Sequence, residues 1–169
     1  MGTVKVLSIA ILLLFAVVLL AFIAAGVFIP AEQSFTNSVE ITAPADKVWQ
    51  VLTDRSRFPE WQTNLSKVEV VDDRNWMEYP KDAPEPLRFT LAKDDRPSAM
   101  SFGYKMGDYF AGEWNGRVTP TATGVRLETV DGYVAKGWVT KILMYIFFDF
   151  DKFAKDWDGR LKQRVETLN

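Results

Sequence analysis

"VEITAPADKVWQVLTDRSRFPEW", residues 39–61, holds the change of period on which the fold turns. Val39 and Ile41 end an alternating run from about Ser34 to Thr42, in which Phe35, Val39 and Ile41 share one face. Pro44 then suits a first helical position, and Asp46 suits the first turn, where the helix dipole favours a negative charge. Val48, Trp49 and Leu52 lie on one helical face. Asp54 and Ser56 break that helix, and a second short turn follows through Phe58 and Trp61. Strand, helix and short turn therefore succeed one another within 30 residues. Trp49 is read as packing the helix beneath a sheet and Trp61 as closing the corner; direct contact of Trp61 with a ligand is the alternative.

Downstream the alternation continues. Strand-like runs cover about 66–72, 75–79, 87–93, 99–106, 109–119 and 124–133. Met100, Phe102, Tyr104 and Met106 share a face, as do Phe110, Trp114 and Val118, with Glu113, Asn115 and Arg117 opposite. Val125 and Leu127 share a face with Asp131. From about Val139 the period becomes helical. Ile142, Ile146, Phe150, Phe153, Trp157, Leu161, Val165 and Leu168 recur at steps of three and four, which predicts one amphipathic helix of about thirty residues. Asp151, Lys155, Asp158, Lys162 and Glu166 fall off that stripe and are expected in solvent. A sheet with one apolar face, covered by one long helix, is an α+β layer arrangement.

Upstream, Val6 to Ile29 carries no charged residue. As a helix it would span roughly 36 Å, enough for a hydrocarbon core of about 30 Å. The reading adopted is an uncleaved transmembrane anchor at 1–30, a linker at 31–38 and the folded domain at 39–169. A cleaved signal peptide with a cut before Val27 competes with it, but the apolar run exceeds the usual length. Lys5 and the terminal amine precede the run and Glu32 follows it. This bias puts a single-pass protein's amino terminus in the cytoplasm and its domain on the non-cytoplasmic side, periplasmic or extracellular.

Composition narrows the chemistry. The 169 residues include no Cys and no His, and the formal net charge is -2. Thiolate catalysis, cysteine-ligated metals and histidine-based triads are therefore excluded, and no metal-ligand spacing or phosphate-binding glycine loop occurs. No cofactor is expected. Basic residues are interspersed with acidic ones, so a nucleic-acid partner is not expected either. With 12 Phe and 6 Trp the chain can fill a large core or line a large cavity.

The sequence resembles the START-like, or SRPBCC, superfamily, closest to its polyketide cyclase/dehydrase-like branch. Carrying the resemblance are residues 39–61, "SKVEVV" (66–71), "FAGEWNGRVTPTATGVRLETVDGYV" (110–134) and the closing helix as far as "LKQRVE" (161–166). It implies a helix-grip fold: a curved seven-stranded antiparallel sheet around a long carboxy-terminal helix, with an elongated apolar cavity between them. Members bind lipids, sterols, quinones, hormones or polyketides, and some are cyclases. The amino-terminal span departs from the soluble members and favours work at a membrane.

The partners expected are thus an apolar small molecule or lipid, and a membrane through the amino-terminal helix. Facing the concave side of the sheet should be Phe89, Met100, Phe102, Tyr104, Gly112 and Trp114, with Tyr145 and Asp149 of the long helix turned toward the same space. Tyr79, Tyr104 and Tyr145 each offer a hydroxyl. Asp131 shares an apolar face and would have a raised pKa if it pointed inward, but its place beside Gly132 favours the exposed rim. No residue is assigned a catalytic role. A filled core serving as an interaction or scaffold domain, and a cyclase- or dehydratase-type enzyme, remain the alternatives to a binding module.

Overall fold

The computed structural model describes residues 2–168, with side chains from Val4 onward. Helix α1 (Gly2–Phe28) is followed after three residues by strand β1 (Glu32–Ile41). Residues 31–38 are therefore not a linker; all but Ala31 belong to β1. The expectation failed because polar residues alternate here with Phe35 and Asn37 on an edge strand, whose outer face is wet. Helix α2 (Ala45–Thr53) and a 3-10 helix (Arg55–Glu60) come next.

Six strands then run in sequence: β2 (Leu65–Val70), β3 (Asn75–Pro80), β4 (Leu87–Asp95), β5 (Ala99–Met106), β6 (Phe110–Pro120) and β7 (Val125–Ala135). None departs from its predicted ends by more than two residues. The sheet is seven-stranded, in the order β1-β7-β6-β5-β4-β3-β2, and the strand pairs are antiparallel. Consecutive strands from β2 to β7 are neighbours joined by short turns, and β1 closes onto β7. The fold is a helix-grip α+β arrangement: the alternation implied the α+β layers, and the family resemblance implied the helix grip.

The closing helix is not continuous. Helix α3 (Trp138–Phe147) and helix α4 (Phe150–Thr167) are separate elements. Phe148 is extended, and the Asp149 carboxylate accepts a hydrogen bond from the Lys152 amide, capping α4. A capping carboxylate offers the backbone a better partner at a helix start than in a helix interior, so the three-four periodicity runs through a real break.

The core sits between the sheet and the α2–α4 layer. Ile41, Val48, Leu52, Leu127, Leu161 and Val165 form its closed floor. Trp49 is buried and its Nε1 donates to the Pro97 carbonyl at 2.7 Å. Trp61 makes edge contacts with Phe58 and Trp157 at 5.3 and 5.5 Å, which holds the corner shut.

Candidate functional site

Between the concave face of the sheet and the α3–α4 segment lies a cavity of about 550 Å³. Strand alternation supplies its wall. Phe89 on β4, Met100, Phe102 and Tyr104 on β5, and Trp114 on β6 all line it. Their rings interlock: Phe89 stacks on Trp76 at 4.9 Å and Phe102 on Trp114 at 4.7 Å. Such contacts fix the aromatic wall without filling the space in front of it.

The other three expected residues lie elsewhere. Tyr145 does not line the cavity; it is exposed on α3. Asp149 does not line it either, because its carboxylate is engaged in capping α4. The helix break turns both away from the position that a continuous helix would have given them. Gly112 is not at the cavity surface. A side chain there would collide with the Tyr104 ring and the Gly132 carbonyl, so Gly112 is the seat on which Tyr104 rests.

Polar groups enter the cavity at two places. Toward the β7 side, the Tyr104 hydroxyl donates to Asp131 Oδ1 at 2.7 Å. Asp131 points inward, not to the exposed rim; burial raises its pKa to about 7, and the tyrosine hydrogen bond only partly opposes this. The Tyr104 hydroxyl is itself pushed well above its ordinary value by burial and by the neighbouring carboxylate.

Asp158 of α4, expected in solvent, is 2% exposed. It accepts from Asn37 Nδ2 and Thr129 Oγ1, each at 2.8 Å, tying α4 to β1 and β7. Burial raises its pKa too, against those two hydrogen bonds. A helix gripped by a curved sheet buries more than one stripe, so a residue off the most apolar line is still inside.

The second polar place was not foreseen in the sequence. Glu78 on β3 is inside, one alternation step from Trp76, whose Nε1 donates to Glu78 Oε1 at 3.0 Å. Burial raises the Glu78 pKa to about 7, opposed by the Trp76 hydrogen bond and by Arg55. The Arg55 guanidinium lies 3.9 Å from the centroid of the Trp76 ring, and its Nη1 donates to the Asp73 carbonyl at 3.0 Å. Burial, and then Arg96, lower its pKa. Arg55 Nε and Asn64 Oδ1 are buried without a partner, and both residues line the cavity. One signal for Glu78 was available: it alternates in register with Trp76 in "NWMEYP".

Of the other tyrosines, Tyr79 donates its hydroxyl to Glu69 on the outside of the sheet. Glu113, Asn115 and Arg117 are exposed, as their alternation predicts. Among the described residues no three His, Cys, Asp or Glu side chains cluster as a metal site would require.

A family model described as polyketide cyclase / dehydrase and lipid transport matches residues 32–166. The chain belongs to this family. The match begins at the first residue of β1 and leaves α1 outside it. Solved structures agree in fold. A START superfamily protein from Mycobacterium smegmatis is 17% identical with a TM-score of 0.59, covering 80% of this chain and 99% of its own. A conserved protein from Geobacillus kaustophilus is 13% identical with a TM-score of 0.66, covering 80% and 96%. Norcoclaurine synthase from Thalictrum flavum, in complex with dopamine and hydroxybenzaldehyde, is 13% identical with a TM-score of 0.62, covering 82% and 88%. At such identities the likeness is one of fold, and sites must be argued from the residues present. No curated protein matches the chain.

Proposed function

We propose that this member of the family is a membrane-anchored domain that holds one apolar small molecule or lipid in its cavity. The observation that carries the reading is the cavity: about 550 Å³ of space walled by Phe89, Met100, Phe102, Tyr104 and Trp114. Volume and lining are those of a small-molecule site, apolar with a few convergent polar groups. A domain built only as a scaffold would have used these aromatics to fill the space. The Tyr104–Asp131 pair and the Arg55–Glu78 group offer polar anchors to a ligand that is otherwise apolar.

The anchor in this reading is α1, within which Val4–Phe28 is long and apolar enough to cross a bilayer. Its flanking charges favour a cytoplasmic amino terminus, with the 32–168 domain on the opposite side. Release of α1 as a signal peptide would instead leave the domain free of the membrane.

One observation favours a second reading. Asp131 titrates near neutrality beside a cavity-facing hydroxyl, which suits a group that gives and takes a proton within an apolar site. Proton-transfer chemistry of a cyclase or dehydratase kind would use that pair.

Native mass spectrometry of the full chain from mild detergent tests both readings. Binding predicts a co-purifying small mass at one copy per chain, lost in Ala154→Phe, which fills the cavity from the α4 side. Catalysis predicts that Asp131→Asn carries a different mass, the unconverted precursor. A folded wild-type chain that carries nothing and takes up no fatty acid or apolar dye would leave the scaffold reading standing.

A further inference from the structure

Helix α3 is unlike the rest of the domain. Its ten residues, "WVTKILMYIF", contain no acidic group and one lysine. Val139, Tyr145, Ile146 and Phe147 are 58%, 58%, 60% and 78% exposed, and Phe148 beyond the helix end is exposed as well. A helix apolar on nearly all sides belongs in a core or in lipid, not in water. At about 15 Å it is too short to cross a bilayer.

Its place is set by strand register. Glu32 of β1 lies opposite Val134 of β7, and the Ala135 amide donates to the Ala31 carbonyl at 2.8 Å. The strand after α1 and the strand before α3 therefore run side by side, and both helices leave the sheet from the same end. Gly137, at φ 77°, makes the turn into α3, a conformation glycine adopts without penalty. Trp138 then lies against Gly26 of α1, where a side chain would crowd its ring. The Lys141 ammonium donates to the Gly26 carbonyl at 2.5 Å, satisfying the last turn of α1.

The cavity opens at this end too. Antiparallel pairing of Phe110 with both Met106 and Ala135, and of Leu87 with Glu78, brings the 81–86 turn and the 107–109 turn to the side from which α1 emerges. Among the cavity-lining residues, Leu143, Phe147 and Phe148 are exposed, as are Lys81, Asp82 and Pro84 opposite them. They mark the mouth.

We infer that α3 and Phe148 lie in the interface of the bilayer that α1 enters, so that the cavity mouth faces lipid and its apolar ligand passes laterally between membrane and cavity. The inference rests on α1 being embedded, as proposed above. The partner surface is a phospholipid bilayer. Trp138 and Tyr145 are the residue types favoured at the headgroup level, and Ile146, Phe147 and Phe148 supply the apolar face that an interfacial helix buries. Three residues separate α1 from β1, so the domain cannot drift from the surface by more than about 10 Å along that tether.

Because the chain has no cysteine, a single introduced one carries a unique label. The full chain, reconstituted in phosphatidylcholine–phosphatidylglycerol vesicles, would carry a nitroxide at Val139→Cys, Phe147→Cys, Val17→Cys or Glu128→Cys in turn. Relaxation by lipid-dissolved oxygen is compared with relaxation by an aqueous nickel chelate. The expected result is oxygen-dominated relaxation at 139, 147 and 17, and nickel-dominated relaxation at 128. Oxygen dominance at 17 with nickel dominance at 139 and 147 overturns the inference and leaves the anchor intact. Shielding of 139 and 147 from both reagents also overturns it, since a second copy of the chain then covers α3. Nickel dominance at 17 refutes the anchor itself, and the inference falls with it.

Discussion

Glu78→Gln separates the charge of a buried carboxyl from its hydrogen bond. Gln keeps an oxygen for the Trp76 Nε1 proton and removes the ionisation. In the unfolded chain the Glu78 carboxyl has its ordinary value of 4.5; in the folded protein burial holds it at about 7. Between these values the native state binds a proton that the unfolded state has lost, so stability falls as pH rises through the window. A gap of about 2.5, at about 1.4 kcal/mol per pH unit, amounts to about 3 kcal/mol, nearly complete by pH 8. At pH 5 little of it has developed. Glu78→Gln should therefore gain on wild type by about 2–3 kcal/mol more at pH 8 than at pH 5. Urea unfolding of the full chain in non-ionic detergent, followed by tryptophan fluorescence, measures the difference at each pH. Asp131 and Asp158 add pH dependence of the same sign to both proteins, and it cancels in the comparison. An equal gap at the two pH values would refute the reasoning and show that Glu78 ionises at its ordinary value in the folded protein.

Tyr104→Phe removes the donor that holds down the Asp131 pKa, so the carboxyl should titrate still higher and the loss of stability, about 1–3 kcal/mol, should be greater at pH 8 than at pH 5. The same urea midpoints check it, and a pH-independent loss would mean that the hydroxyl does not engage the charged form. Trp157→Ala deletes ring contacts to Trp61 and Trp114 at 5.5 and 6.2 Å and should lower stability by about 3 kcal/mol. A wild-type midpoint there would show that this face of α4 does not meet the sheet.

The sheet was legible in the sequence because each strand buries one face only. Met100, Phe102 and Tyr104, then Phe110, Trp114 and Val118, alternate with polar partners, and a period of two fixes which side of a sheet each residue takes. The aromatic wall followed from that alone. So did the separate character of residues 6–29, since an uncharged run of that length has no polar face to turn toward water.

The helix end of the molecule was decided by tertiary contacts. Periodicity ran unbroken from Ile142 to Leu168, yet one capping hydrogen bond from the Lys152 amide to Asp149 divides it, and that division moved Tyr145 and Asp149 out of the site. Asp158 and Glu78 are charged in composition and interior in fact: Asn37 of β1 and Thr129 of β7 meet Asp158, and Trp76 of the same strand meets Glu78. Sequence determines which residues share a face of an element. Only the packed structure decides what stands opposite that face. A buried carboxylate is tolerable only where a donor meets it, and for Asp131 and Asp158 that donor comes from another element, so the β7 side of this cavity could not be read from any one segment.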